Sequence, residues 1–205
     1  GDELTAKQLD RDTVLAKLKP ILENPNIGKI GQHLKYDAHI LSHYDIDLVG
    51  SIHSSPNNWA MDTMLASYVI NAAITRHGMD DLARDYLQTQ TISFEDVAGK
   101  GAKQVSFDQV AIDIASDYAC EDADITYQLF DLFSEKLAAD DNNAKLLHEL
   151  EIPTAEILCQ MEANGILIKR PFLNELSKRF DEEIIDLEKR AYEVAGEEFN
   201  LGSPK

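Results

Sequence analysis

The chain is poor in positive charge: 19 Lys and Arg stand against 37 Asp and Glu, for a net charge of −18. That balance excludes a protein that wraps duplex nucleic acid along a broad basic face, because neutralising phosphates needs clustered cations. It leaves room for a small site in which bound cations supply the positive charge. Cysteine is equally scarce. Cys120 and Cys159 are too few for a disulfide framework and are expected as small core residues in a reducing compartment. No apolar run approaches the ~20 residues of a membrane span. No signal-peptide pattern opens the chain either, so a cytoplasmic monomer with no membrane partner is expected. What is present is apolar content, 44% of 205 residues, enough to pack one good-sized domain or one and a half.

The pattern along the chain is mostly helical. Residues 12–23 read as a helix capped by Asp12, with Pro20 inside it. Asn24-Pro25-Asn26 is a turn, and Ile27 to His33 is a short, Gly-rich strand. A helix is expected from Tyr36 to Tyr44 and a second weak strand from Ile46 to Val49. Ser54 to Asn58 is a loop. Asp62 should cap a helix carrying Met64, Leu65 and Tyr68. Met79 to Leu87 is a further short helix, Gly99 to Lys103 a mobile loop, and Ile112 to Leu137 a long helix. Asp140-Asp141-Asn142-Asn143 marks the expected domain boundary, dividing residues 1–140 from 144–205. Beyond it come two helices, Ala144 to Asn164 interrupted by Pro153, and Pro171 to Ala195. Phe172, Leu176, Phe180, Ile184, Leu187, Ala191 and Val194 form a stripe on the last, suited to packing on a partner helix.

Two carboxylates stand out. Asp37 closes Gly31-Gln32-His33-Leu34-Lys35-Tyr36-Asp37, where a strand hands over to a helix. Asp122 lies in Tyr118-Ala119-Cys120-Glu121-Asp122-Ala123-Asp124, one helical turn from Tyr118, so phenol and carboxylate share a face. A carboxylate that holds a cation beside a hydroxyl that orients water suits metal-assisted hydrolysis. The plain alternatives are a helix cap at Asp37 and one more solvated acid at Asp122. His39 and His43 have zinc-like spacing, but nothing is evidently placed to complete a tetrahedral site, and a solvated pair is expected. Gly99 to Lys103 lacks the spacing of a phosphate-binding P-loop.

The wording of the motifs shifts that balance. Gly-Gln-His-Leu-Lys-Tyr-Asp, Met-Asp-Thr-Met-Leu, Arg-His-Gly-Met-Asp-Asp-Leu-Ala and Tyr-Ala-Cys-Glu-Asp-Ala-Asp resemble, in letters and in order, the proofreading 3′→5′ exonuclease domain of the bacterial DNA polymerase I family. Glu151-Ile152-Pro153, Met161 to Ile166 and Phe199 to Lys205 look like the start of that family's polymerase domain. The resemblance implies an α/β fold: a helix-rich, incomplete ribonuclease-H-like exonuclease domain followed by a helical hairpin of the polymerase thumb. It implies Asp37 and Asp122 as metal-binding carboxylates and Tyr118 as the residue that positions the attacking water. Two Mg²⁺ or Mn²⁺ ions per complete site follow from it, with His33, Met64, Arg76 and Phe94 meeting the DNA. The implied partners are a single-stranded DNA 3′ end and, through the parent polymerase, primer–template DNA. The implied roles are DNA replication and repair, with hydrolase and transferase chemistry.

The match is incomplete. The family's first motif, an Asp-x-Glu on an early strand, supplies two further carboxylates, and no such motif precedes Asp37 here. Asp181-Glu182-Glu183 and Asp186-Leu187-Glu188 lie deep in the last helix and do not substitute. His33 stands where the family commonly has Asn, and Ser54 to Asn58 reads as an insertion. The sequence is therefore expected to be a piece of a longer enzyme, inactive by itself. The alternative is a vestigial scaffold or DNA-binding module.

Overall fold

The computed structural model describes residues 9–48, 59–73 and 76–202, with the backbone alone described at 59 and 60. The loop expected at Ser54 to Asn58, and Val49, lie outside the described residues. The chain divides into two compact units, Gly1–Ala163 and Asn164–Lys205.

Helix α1, Arg11–Leu22, opens the first unit. Its cap is Asp10, which accepts from the Thr13 amide at 2.8 Å, and the expected cap Asp12 lies in the first turn. The Thr13 hydroxyl also donates to Asp10, at 2.6 Å, which fixes the start one residue earlier than composition suggested. The turn at Asn24 to Asn26 follows as expected, closed by Ile27 N–H on the Asn24 carbonyl.

Strands β1, Lys29–Gly31, and β2, Trp59–Asp62, form a two-stranded parallel sheet with Ile30 opposite Met61 and Gly31 opposite Asp62. The strand expected from Ile27 to His33 keeps three residues because the turn consumes its start and left-handed His33 (φ 64°) ends it. Ile46 to Leu48 do not pair as a strand. Ile46 and Leu48 are buried, which accounts for the apolar pattern, and Ile46 N–H bonds the Leu41 carbonyl as the chain leaves helix α2, Leu34–Ser42.

Helix α3, Thr63–Ile70, is capped by Asp62 as expected. Helix α4, Met79–Leu82, runs on into a π-helical turn, Ala83–Leu87, and α5, Phe94–Ala98, starts in a Ser93–Asp96 capping box. The segment expected as a mobile loop holds a 3-10 turn, Gly101–Lys103, and Val105 N–H bonds the Ala98 carbonyl at 2.8 Å just beyond it. Helix α6, Ile112–Ala138, is the spine of the unit. Its buried Ile125, Leu129, Phe133 and Leu137 recur every fourth residue, the spacing that keeps one face inward.

The polar stretch from Asp140 is helical in the structure. Asp140 caps helix α7, Asp141–Lys145, by accepting from the amides of Asn142 and Asn143. A π-helical turn, Leu146–Glu151, leads into α8, Ile152–Asn164, and accommodates Pro153, which has no amide to donate. Leu147, Ile152 and Cys159 join the same core as Leu129 and Phe133, so the compact division falls at Ala163/Asn164, later than composition suggested. The second unit is built on helix α9, Arg170–Ala195, with Pro171 in its first turn and Gly196 (φ 74°) as a left-handed stop. No residue of α9 is buried, and Tyr192 meets Phe199 edge-on at 5.7 Å between ring centroids.

Candidate active site

The site begins at the switch from β1 to α2. Helix α2 has no side-chain cap of its own. Its first amides are served by Asp62, at the end of the neighbouring strand: the carboxylate accepts from His33 N–H at 3.1 Å and Leu34 N–H at 2.8 Å. The same carboxylate accepts from Met64 N–H at 3.0 Å and Leu65 N–H at 3.3 Å. One fully buried side chain thus starts two helices, and the parallel register that sets Gly31 beside Asp62 makes it possible. Burial pushes the Asp62 carboxyl above its ordinary range, against the pull of these four amides.

Gln32, next in the chain, is locked at both ends. Its Nε2 donates to the His77 carbonyl at 2.8 Å, and its Oε1 accepts from the Thr63 hydroxyl at 2.5 Å. His77 in turn meets the buried Ser67 hydroxyl at 2.9 Å through Nδ1. These bonds tie the segment before α4 to the sheet edge.

Between them opens a cleft of about 400 Å³. Ile30, Gly31, Gln32 and Asp37 form one wall, and Met79, Asp122, Ala123, Thr126 and Tyr127 the other. The cleft joins Asp37, in the first turns of α2, to Asp122, midway along α6. Desolvation raises both carboxyls above the ordinary range; the Asp62 charge adds to it at Asp37, and Asp80 and Glu121 add to it at Asp122. Asp37 is exposed by area, yet the walls around its carboxyl displace enough water to disfavour its charge. Among the described residues no Lys or Arg lines the cleft.

Tyr118 lies beside Asp122, one helical turn away, and burial next to that carboxylate raises its phenol. Two rings hold it in place: Phe107 at 5.8 Å and Phe94, edge-on, at 6.4 Å between centroids. Neither Tyr118 nor Phe94 lines the cleft, and Phe94 is joined to Asp122 only through Tyr118. His33 stacks on Tyr36 at 6.3 Å, Met64 is half-buried on α3, and Arg76 is exposed before α4. None of these three lines the cleft. His39 is not simply solvated as expected, since its Nε2 donates to Glu162 at 2.8 Å.

Sequence reasoning missed Met79, Thr126 and Tyr127 as wall residues and Phe107 as a support of Tyr118. Thr126 carried a usable signal, being four residues beyond Asp122 on one helix.

A family model described as 3′-5′ exonuclease matches residues 3–138. The chain belongs to the 3′-5′ exonuclease family. DNA polymerase I of Pseudomonas aeruginosa is 47% identical over 199 residues, 97% of this chain and 21% of that protein. DNA polymerase I of Rhizobium leguminosarum is 39% identical over 205 residues, 100% of this chain and 19% of that protein. This exonuclease-family chain therefore spans about one-fifth of the length of those relatives. A solved structure described as the POL domain of Pol1 from M. smegmatis, in complex with DNA primer-template and dNTP, superposes with a TM-score of 0.66 at 26% identity. It covers 97% of this chain and 30% of that one.

The 3′-5′ exonuclease family implies the use of divalent metal. The donors fit in kind: two carboxylates share one cleft with no cationic side chain to neutralise them, and hard cations take such oxygens. They do not complete a site. Among the described residues no group of three or more His, Cys, Asp or Glu comes together to hold a metal.

Proposed function

We propose that the chain is the later part of a proofreading 3′→5′ exonuclease domain within a DNA polymerase I, joined to the start of the polymerase domain. The observation that carries this is the shared cleft of Asp37 and Asp122 in a chain of this family, with Tyr118 beside Asp122. The substrate is the 3′ end of single-stranded DNA, and primer–template DNA is met through the parent polymerase, in replication and repair. The parent works as a cytoplasmic monomer.

Asp37 and Asp122 would hold two of the ligand positions for Mg²⁺ or Mn²⁺, and a complete site takes two ions and about four carboxylates. When bound, such ions neutralise the phosphodiester charge that builds up as water attacks. The rest falls to the chain. Tyr118, fixed by Phe94, Phe107 and Asp122, orients the water for in-line attack. Water adds its oxygen to the terminal phosphorus, the bond to the preceding 3′ oxygen breaks, and a nucleoside monophosphate leaves. His33, Met64, Arg76 and Phe94 are proposed to grip the departing strand, Phe94 through its exposed ring face and Arg76 through phosphate.

The 205 residues bring two of the carboxylates and no Asp-x-Glu ahead of Asp37, and this reading expects no activity from them alone. The test adds the missing pair. The chain is joined to the segment that precedes the matched region in the Pseudomonas aeruginosa relative, where this reading expects the Asp-x-Glu pair, and a 5′-labelled single-stranded oligonucleotide is supplied with Mg²⁺. Stepwise shortening by the fusion, absent from the chain alone and from Asp37→Ala or Asp122→Ala fusions, is the expected result. A fusion as active with both aspartates replaced would sink the proposal.

A further inference from the structure

The helix that carries Asp37 is held from behind by a residue far along the chain. Lys35 Nζ lies 2.5 Å from Glu162 Oε1, and His39 Nε2 donates to Glu162 Oε2 at 2.8 Å. Each carboxylate oxygen takes one donor, so the two bonds together fix the orientation of the group. Lys35 and His39 are one turn apart on α2. Asp37 is two residues from each, about 200° around the helix, so the grip lies opposite the face that turns to the cleft. Cys159, one turn before Glu162 on α8, is 5% exposed and brings its Sγ to 4.0 Å from the Lys35 carbonyl oxygen. Helix α8 thus meets α2 at two successive turns.

Helix α2 has nine residues. Asp62 fixes its first amides and Leu34 and Ala38 seat its inner face in the core, and the two Glu162 bonds add a hold on its rotation. A roll of about 20° moves a carboxylate some 6 Å off that axis by about 2 Å, and a misplacement of ~1 Å in a catalytic group costs on the order of 10²-fold in rate.

We infer that Glu162 is a positioning residue: by clamping Lys35 and His39 it sets the rotation of α2 and aims the Asp37 carboxylate into the cleft. The inference rests on the role proposed for Asp37. Glu162 lies beyond the residues 3–138 that match the exonuclease family, so the aim of one of its carboxylates is set from outside the matched segment.

The full chain, Glu162→Ala and the charge swap Lys35→Glu/Glu162→Lys are compared by amide hydrogen exchange and by Mn²⁺ binding followed by electron paramagnetic resonance. Glu162→Ala should speed exchange in α2 about fivefold or more while leaving α6 unchanged. It should also weaken Mn²⁺ binding about threefold to tenfold, and the swap, which rebuilds the pair with position 35 but not the bond to His39, should restore part of both losses. Unchanged exchange in α2 overturns the inference, as does unchanged Mn²⁺ affinity in a chain that binds the ion. If Mn²⁺ fails to bind, or binds as well to Asp37→Ala, the proposed function fails instead, and exchange alone then decides the positioning claim.

Discussion

Gly31 shows how little room the residues at the cleft leave. A Cβ there would lie 2.4 Å from Leu34 Cδ2 and 2.8 Å from Leu34 Cγ. Leu34 is 5% exposed and part of the core, so it cannot step aside cheaply. Gly31→Ala should cost about 1–3 kcal/mol, read by urea unfolding, the usual penalty of overpacking; a neutral result would show that Leu34 has space to move. Asp37 behaves oppositely. Its folded carboxyl titrates above the unfolded value of 3.8. Its charge-linked contribution therefore favours the fold below that value and is lost as pH rises through the folded one. At pH 7 without divalent cations Asp37→Asn should melt higher, by about 2 °C at most given its exposure. A lower melting temperature would mean that the carboxylate is already neutralised by the protein. The sequence made both acids visible, because each lies in a distinctive motif. It could not show the left-handed turn at His33 or the fixed amide of Gln32, whose partners His77 and Thr63 lie 45 and 31 residues away.

At the scale of elements, Asp62 joins what the local sequence separates. Its cap on α3 was legible, since the bonded amides lie two and three residues on. Its bonds to the start of α2 were not, since they span 28 and 29 residues and exist only because β1 and β2 pair. Asp62→Ala should therefore destabilise by more than one cap, about 2–4 kcal/mol in equilibrium unfolding. A loss near 1 kcal/mol would mean that only the local cap matters. Helix α6 illustrates the other extreme. A period of four sustained over many turns fixed its ends to within a residue, Ile112 to Leu137 expected against Ile112–Ala138 found. Strand β2 had no such signal: its four residues acquire their role only through the partner strand. That the compact division falls later than Asp140 was hidden for a related reason. Polar residues there cap a helix, and the apolar residues that bind α7 and α8 to the core come after it.

For the molecule as a whole, the net charge of −18 and the cleft point the same way. Four acids, Asp37, Asp80, Glu121 and Asp122, bear on one concavity that no Lys or Arg lines among the described residues. Such a surface repels phosphate unless cations intervene, so a module that binds DNA without divalent ions is disfavoured. The central claim is that Asp37 and Asp122 together make part of a divalent cation site. Titration of the chain with Mn²⁺, set beside Asp37→Ala/Asp122→Ala, tests it most directly. Binding in the range of about 10⁻⁴–10⁻³ M, as for a site with few carboxylates, and its loss in the double variant are the predicted result. Equal binding by both proteins would contradict the account.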